Sequence, residues 1–407
     1  HSFNGLFSAN NLNAGVYRLV IENTSSNGCA LSQDVSVLAD EFSLENISIA
    51  DATTCSTEDT VSGLRMGSIS FDISGTYMVD NYVIYKASDS DNDGIGDNCD
   101  NVDFSSLPCQ NGFAGIYPCN GYDLIGYLSL EELSIAPVAG NISGNDSWGW
   151  TDPENGKEYA LVGLSSHAAF VDMSDPDNLE LIGVLPTATV NSLWRDIKVY
   201  QNHAFIVSEA SGHGMQIFDL TRLRDVSNTP VEFEVDAHFT EFGRAHNIVI
   251  NEDSGYAYVV GASGSPFNGG PIFINIQNPT EPILEGGFGQ EGYSHDAQVV
   301  TYYGPDLDYT GKEILIGSNE DKVVIADVSD KSNPVTISNI DYSNISYTHQ
   351  GWFTEDLRYF IVGDELDEQF IGTNTRTLIF DFNDLDNPSL SFEYIADNTS
   401  IDHNGYT

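Results

Sequence analysis

A histidine returns through the second half of this chain at nearly constant spacing: His246, His295, His349 and His403 stand 49, 54 and 54 residues apart. Each lies in a short polar phrase: Gly243-Arg-Ala-His-Asn247, Tyr293-Ser-His-Asp296, Tyr347-Thr-His-Gln350 and Ile401-Asp-His-Asn404. Ser192-Leu-Trp-Arg-Asp196 holds the same place one unit earlier, without the histidine. An alternating apolar strand follows, such as Asp196-Ile-Lys-Val-Tyr200 or Asn247-Ile-Val-Ile250. A second apolar strand comes next, as in Ala204-Phe-Ile-Val207, Tyr256-Ala-Tyr-Val-Val260, Ile314-Leu-Ile316 and Tyr359-Phe-Ile-Val362. A third ends at an acidic turn, as in Phe170-Val-Asp-Met-Ser-Asp175, Ile325-Ala-Asp-Val-Ser-Asp330 and Ile379-Phe-Asp-Phe-Asn-Asp384.

Self-similarity at about 50 residues, with four short strands per unit, is the signature of a β-propeller, whose sheets must stack on one another to bury their apolar faces. The repeat predicts an all-β, six-bladed propeller with blades over 147–186, 192–236, 244–289, 294–342 and 348–396. A sixth blade opens at His403 and reaches only Thr407. Residues 122–129 (Tyr-Asp-Leu-Ile-Gly-Tyr-Leu-Ser) read like the outer strand Glu180-Leu-Ile-Gly-Val-Leu-Pro186. They are therefore expected to supply the outer strand of the last blade, closing the ring and removing a free sheet edge.

Upstream the chain is modular. Residues 1–40 contain Leu12-Asn-Ala-Gly-Val-Tyr-Arg-Leu-Val-Ile-Glu22 and Gly28-Cys-Ala-Leu-Ser-Gln-Asp-Val-Ser-Val37, which resemble the closing hairpin of Ig-like repeats in secreted bacterial adhesins. Residues 41–104 read as a small β module ending in Asp89-Ser-Asp-Asn-Asp-Gly-Ile-Gly-Asp-Asn-Cys-Asp100. Carboxylates at alternate positions before a turn-permitting glycine let one loop wrap several oxygens around Ca²⁺. The expected ligands are Asp89, Asp91, Asp93, Asp97 and Asp100 with the Ile95 carbonyl. The spacing resembles the thrombospondin type 3 calcium repeat more than an EF-hand; a solvated acidic linker is the bland alternative. Residues 105–146 bracket a Gly-rich loop between Cys109 and Cys119, read as a local disulfide, and carry the closing strand.

The partners are bounded by charge. With 14 basic against 61 acidic residues the formal charge is −47. There is no basic stripe to displace counterions from nucleic acid, and a bare anionic membrane surface would repel the chain. Such a surface favours divalent cations and solubility in salty water. All five cysteines (Cys29, Cys55, Cys99, Cys109, Cys119) fall in the first third, which suits an oxidising, extracellular setting. The pairing of Cys29, Cys55 and Cys99 is left open by the sequence. No apolar run approaches a membrane span. The opening His1-Ser-Phe-Asn4 carries no signal peptide, so the chain reads as a mature or trimmed piece.

Strand order brings the histidines and the loops between second and third strands to one face. Those loops are polar and acidic: Ser208-Glu-Ala-Ser-Gly-His-Gly214, Ser318-Asn-Glu-Asp321 and Gly363-Asp-Glu-Leu-Asp-Glu368. Two readings stand. In one, His246, His295, His349 and His403 converge on a transition metal or an anionic substrate, with Gln350, Asp296, Glu320 and Glu365 around them. In the other, each histidine and its Asn, Asp or Gln neighbour ties one blade to the next, and repetition is what such a tie predicts. Trp148, Trp150, Trp194 and Arg195 are expected to fill the register where histidine is missing. His167, His203, His213 and His238 fall outside it. Phosphate loops, nucleophile elbows and H-E-x-x-H helices are absent.

From about Cys109 to Thr407 the chain resembles the choice-of-anchor B proteins, in Asp146-Ser-Trp-Gly-Trp-Thr-Asp-Pro153, Gly156-Lys-Glu-Tyr-Ala-Leu-Val-Gly163, Val207-Ser-Glu-Ala-Ser-Gly-His-Gly-Met-Gln216 and Tyr347-Thr-His-Gln-Gly-Trp352. Asp364-Glu-Leu-Asp-Glu368, Asn374-Thr-Arg376 and Asp402-His-Asn404 extend the likeness. These are secreted, LVIVD-type propellers. The resemblance implies secretion or surface display, in many relatives by type IX secretion, and brings no established reaction. The leading expectation is thus a non-enzymatic, calcium-binding adhesion platform for glycan or protein. A metal-dependent lyase or hydrolase at the channel mouth is the alternative; a self-assembling subunit of an extracellular fibre or sheath is a third.

Overall fold

The structure is a computed structural model that describes residues 107–110, 112–114, 117–135 and 142–407, together with five strands in the first 106 residues. Among those five, Gly15–Ile21 pairs antiparallel with Leu31–Val37, which also pairs with Ile84–Tyr85, and Ser43–Ile49 pairs with Ile69–Ser74. The calcium loop read at 89–100 lies outside the described residues. The Cys109–Cys119 disulfide is formed, with Cα atoms 5.9 Å apart. Nearby, Leu107 and Leu124 form a single antiparallel bridge.

Residues 142–407 form a β-propeller. Five antiparallel sheets follow one another along the chain, each entered at its innermost strand. Those first strands are Gly144–Thr151, Arg195–Tyr200, Asn247–Asn251, Asp296–Thr301 and Thr348–Phe353, and each neighbours the next around the axis. Apolar side chains alternate along the strands and pack between sheets, so the core is a series of interblade layers rather than one central cluster. Blades 1 and 2 share Leu161, Phe170, Ile206 and Phe218, with the Phe170 and Phe218 rings stacked 4.7 Å apart. Blades 4 and 5 share Ile316, Ile325, Phe353, Phe360 and Phe380. Each fully buried ring of this kind contributes about 1.5–3 kcal/mol of transfer free energy.

Blade 1 carries a fifth strand that the repeat did not announce. Val231–Glu232, from the long connection inside blade 2, pairs in parallel with the outer strand Glu180–Pro186. The close approach needs Gly183, where a Cβ would sit 2.3 Å from the Val231 carbonyl and 2.5 Å from the Phe233 ring. The outer strand of blade 2 proper is Ala237–Phe239, just past the expected limit at 236.

The sixth sector holds residues 401–407. Gly405 N donates to Gln350 Oε1 at 3.0 Å and Thr407 Oγ1 donates to the Phe353 carbonyl at 2.7 Å. The Tyr406 ring meets Trp352 of blade 5 and Trp148 of blade 1, each edge to face. This segment therefore stands where the innermost strand of a sixth blade belongs. Residues 122–129, expected to supply the outer strand of that blade, carry no strand of their own, only the single bridge of Leu124 to Leu107. On the outer strand of blade 5, Ser389–Ile395, Phe392 and Tyr394 are exposed.

Candidate metal centre

The residues that follow the recurring histidine position do the tying. Asp146 Oδ2 accepts from Ile197 N at 3.0 Å, Asp196 Oδ2 from Ile248 N at 2.7 Å, and Gln350 Oε1 from Gly405 N at 3.0 Å. In blade 4 the acceptor moves two residues on, Gln298 Oε1 to Phe353 N at 2.8 Å. A buried backbone N–H left without an acceptor is costly, so a polar side chain makes this tie from blades 1, 2, 4 and 5, whereas in blade 3 the buried Asn247 Oδ1 has no partner. Arg195 N finds Asn145 Oδ1 at 2.8 Å, which places Asn145 in the histidine register of blade 1. Trp148 and Trp150, expected there, stand further along. The irregular pairing between Gly144 and Ser147 hides this in the sequence.

The histidines make no such tie. Their rings lie side by side, tilted to one another, in an arc at the channel mouth: His246 to His295 at 4.1 Å between centroids, His295 to His349 at 4.5 Å, and His349 to His403 at 4.3 Å. His246 Nδ1 lies 2.6 Å from Glu209 Oε1, and the Tyr347 hydroxyl is 2.9 Å from His295 Nδ1. Burial, then the neighbouring imidazoles, push His295 down to about 2 and His349 down to about 3. His403 is lowered too, first by burial and then by His246. These imidazoles are therefore neutral at pH 7, the form that binds metal.

Ligand atoms of His349, His403 and Glu365 all lie within 4.8 Å of one another. His349 Nε2 is 3.6 Å from Glu365 Oε2, and the buried His349 Nδ1 has no hydrogen-bond partner. A neutral ring nitrogen, a second imidazole and a carboxylate are a donor set for Zn²⁺ and its first-row neighbours. Of the described residues, only Asp306, Asp384 and Asp386 form another group this tight.

The structure sorts the remaining expected site residues. Gln350 is a tie between blades, and Arg195 is 1 % exposed. The Arg195 guanidinium donates to the Leu164 carbonyl and Thr187 Oγ1 and contacts His213 Nε2, so it is an internal strut rather than a ligand group. Asp296 is buried, its Oδ1 accepting from Ala297 N, and burial pushes it up to about 6. Glu320 pairs through its backbone with Thr348. Trp194 is 41 % exposed, its indole 6.0 Å from the His246 ring. Residue by residue, the sequence reading missed Glu209, Tyr347 and Asp402. Their signal was positional: an acidic residue at the end of the second strand in Ser208-Glu209 and Asp364-Glu365, and an aromatic two places before a histidine.

Below the ring Lys198 is buried between two carboxylates, 2.6 Å from Asp196 Oδ1 and 3.5 Å from Asp146 Oδ2, with its Nζ 4.5 Å over the Trp148 ring. Burial, then Asp196, push Asp146 up to about 8.

No family model matches the chain. No curated protein matches it either. Among solved structures, it is similar to hydrazine synthase of Kuenenia stuttgartiensis, at 14% identity over 56% of this chain and 62% of that one, with a TM-score of 0.38. The periplasmic gluconolactonase of Pseudomonas aeruginosa aligns at 10% identity over 62% of this chain and 73% of its own, TM-score 0.43. The extracellular domain of a putative one-component system from B. thetaiotaomicron aligns at 14% identity over 71% of this chain and 36% of that one, TM-score 0.42.

Proposed function

We propose that the protein is a metal-dependent hydrolase or lyase whose reaction centre is the channel mouth, with a divalent transition metal held by His349, His403 and Glu365. The observation that carries this reading is the grouping of those three ligand atoms within 4.8 Å of one another, with the rings of His349 and His403 side by side. Two imidazoles and a carboxylate leave a coordination position open, as catalytic sites do and closed structural sites do not. A bound ion would supply a Lewis acid there. His246 stands outside the triad and is oriented by Glu209, an arrangement suited to holding or passing a proton beside the substrate. Tyr347 fixes His295 in the same way.

The motifs shared with choice-of-anchor B proteins, the acidic surface and the Cys109–Cys119 disulfide support placing the protein in that family, secreted or at the cell surface. The loop at 89–100 then acts as a calcium-stiffened linker. A non-catalytic platform for glycan or protein is the second reading, favoured by the exposed Leu193 and Trp194 at the rim.

The test is elemental analysis of the purified full chain, followed by Co²⁺ substitution. The proposal expects one Mn, Fe, Cu or Zn per chain, lost in His349→Ala/His403→Ala, and a visible Co²⁺ spectrum that shifts on adding azide. Wild-type protein without a stoichiometric transition metal, or a Co²⁺ spectrum indifferent to azide, would leave the platform reading in its place.

A further inference from the structure

Beside the triad, four carboxylate oxygens are buried with no hydrogen-bond donor: both oxygens of Glu368, Oδ1 of Asp367 and Oδ1 of Asp402. Glu368 is 9 % exposed and Asp367 0 %. The cation at hand is Arg376, and its donors are engaged elsewhere. Nε donates to Asp367 Oδ2 at 2.7 Å, Nη2 to Asp364 Oδ2 at 3.2 Å, and Nη1 to Glu393 Oε1 at 3.2 Å. One guanidinium thus serves three carboxylates, and neither Glu368 nor Asp402 has an ion-pair partner among the described residues. An unpaired buried carboxylate costs several kcal/mol, so something must compensate it.

We propose that Glu368, Asp367 and Asp402 bind a hard divalent cation, calcium, in a site separate from the transition-metal triad. The donors are all oxygen, where the triad offers imidazole, and that difference sorts a hard ion from a borderline one. The oxygens are not drawn within 4.8 Å of one another as the triad atoms are, so the ion is reached partly through water, as calcium in proteins often is.

The ion would join two parts of the chain. Asp367 and Glu368 sit in a one-turn helix after the second strand of blade 5, and Asp402 belongs to the final segment. Asp402 Oδ2 lies against Gly363, 2.8 Å from where a Cβ would be. Calcium at this point pins 401–407 to blade 5 and so places His403, which follows Asp402 directly. The two sites are then coupled, with calcium raising the affinity for the transition metal.

The experiment is calcium stoichiometry by equilibrium dialysis of the full chain, in wild type, in Glu368→Gln/Asp402→Asn and in the loop variant Asp91→Ala/Asp93→Ala. The pocket variant should bind one Ca²⁺ fewer than wild type and show a smaller calcium-induced rise in Tm. The loop variant should still bind Ca²⁺, which keeps the test valid even where the pocket variant fails to fold. Equal calcium content in wild type and a folded pocket variant overturns the proposal. So does a loop variant that binds no Ca²⁺, or a pocket variant stabilised equally with and without Ca²⁺, which would assign the compensation to shared protons. Transition-metal content at saturating metal is read on the same samples, so failure of this site and failure of the triad give different results.

Discussion

Oε1 of Glu209 lies 2.6 Å from Nδ1 of His246, linking the loop after the second strand of blade 2 to the head of the first strand of blade 3. The contact holds an imidazole that the proposed ligand triad does not use. Hydrogen bonding by that imidazole is also the largest influence lowering Glu209, so the carboxylate is ionised and accepting. Glu209→Gln should therefore keep the transition metal at wild-type stoichiometry, whereas His403→Ala should lose it. Metal analysis of the two variants side by side checks this; metal loss in Glu209→Gln would move His246 into the ligand set.

Two carboxylates share one buried lysine below the ring. Asp196 accepts from Ile248 N and from Lys198, while Asp146, pushed up to about 8, holds its proton at neutral pH. When Asp196 is removed, Asp146 can ionise and take over as counterion. Asp196→Ala should accordingly cost only about 1–3 kcal/mol, the price of a lost interblade hydrogen bond. The double variant Asp146→Ala/Asp196→Ala strands a buried ammonium and should cost about 3–5 kcal/mol beyond that. Chemical denaturation of the single and double variants measures the difference, and additive single effects would contradict the shared-lysine account.

His213 gives the fold a pH dependence. It is fully buried, its ring nitrogens contacting the Gly214 carbonyl, Gln216 Oε1 and the Arg195 guanidinium, and burial first, with Arg195 adding, pushes it down to about 4. The unfolded chain, with an ordinary imidazole near 6.5, binds the proton more readily. Its contribution to stability is thus complete above pH ~6.5 and lost as the pH falls toward ~4. Between pH 7 and pH 5 this amounts to about 2 kcal/mol. Denaturation midpoints at the two pH values should converge in His213→Gln relative to wild type; an unchanged difference would assign the effect to other groups.

The period of the repeat made the propeller legible because a blade cannot be stable alone, and so its apolar strands must recur. The histidine face was legible for the same reason: strand order alone brings His246, His295, His349 and His403 to one end. What periodicity could not separate was tie from ligand, since both recur. That needed the acceptors, and they turned out to be Asp146, Asp196, Gln298 and Gln350 rather than the rings. Asn145 was hidden by an irregular strand pairing, and Glu209 by the surplus of acidic residues, among which no single carboxylate stands out.

Gly183 is the position where a single methyl tests the least regular part of the fold. Its Cβ would meet the Val231 carbonyl at 2.3 Å and the Phe233 ring at 2.5 Å, and neither is a flexible side-chain end. Gly183→Ala must therefore push Val231–Glu232 off the outer edge of blade 1 or displace Phe233 from its contacts with Phe170 and Phe218. Overpacking of this kind costs about 1–3 kcal/mol. It also uncovers a strand edge, Glu180–Pro186, whose N–H and C=O groups can then pair with another molecule. The expected outcome is a lower Tm together with concentration-dependent association in light scattering. Ser substituted at the same place should do the same, because the obstruction is the Cβ and not the side chain beyond it. A monodisperse Gly183→Ala protein of wild-type Tm would mean that the parallel strand does not cap blade 1 in solution.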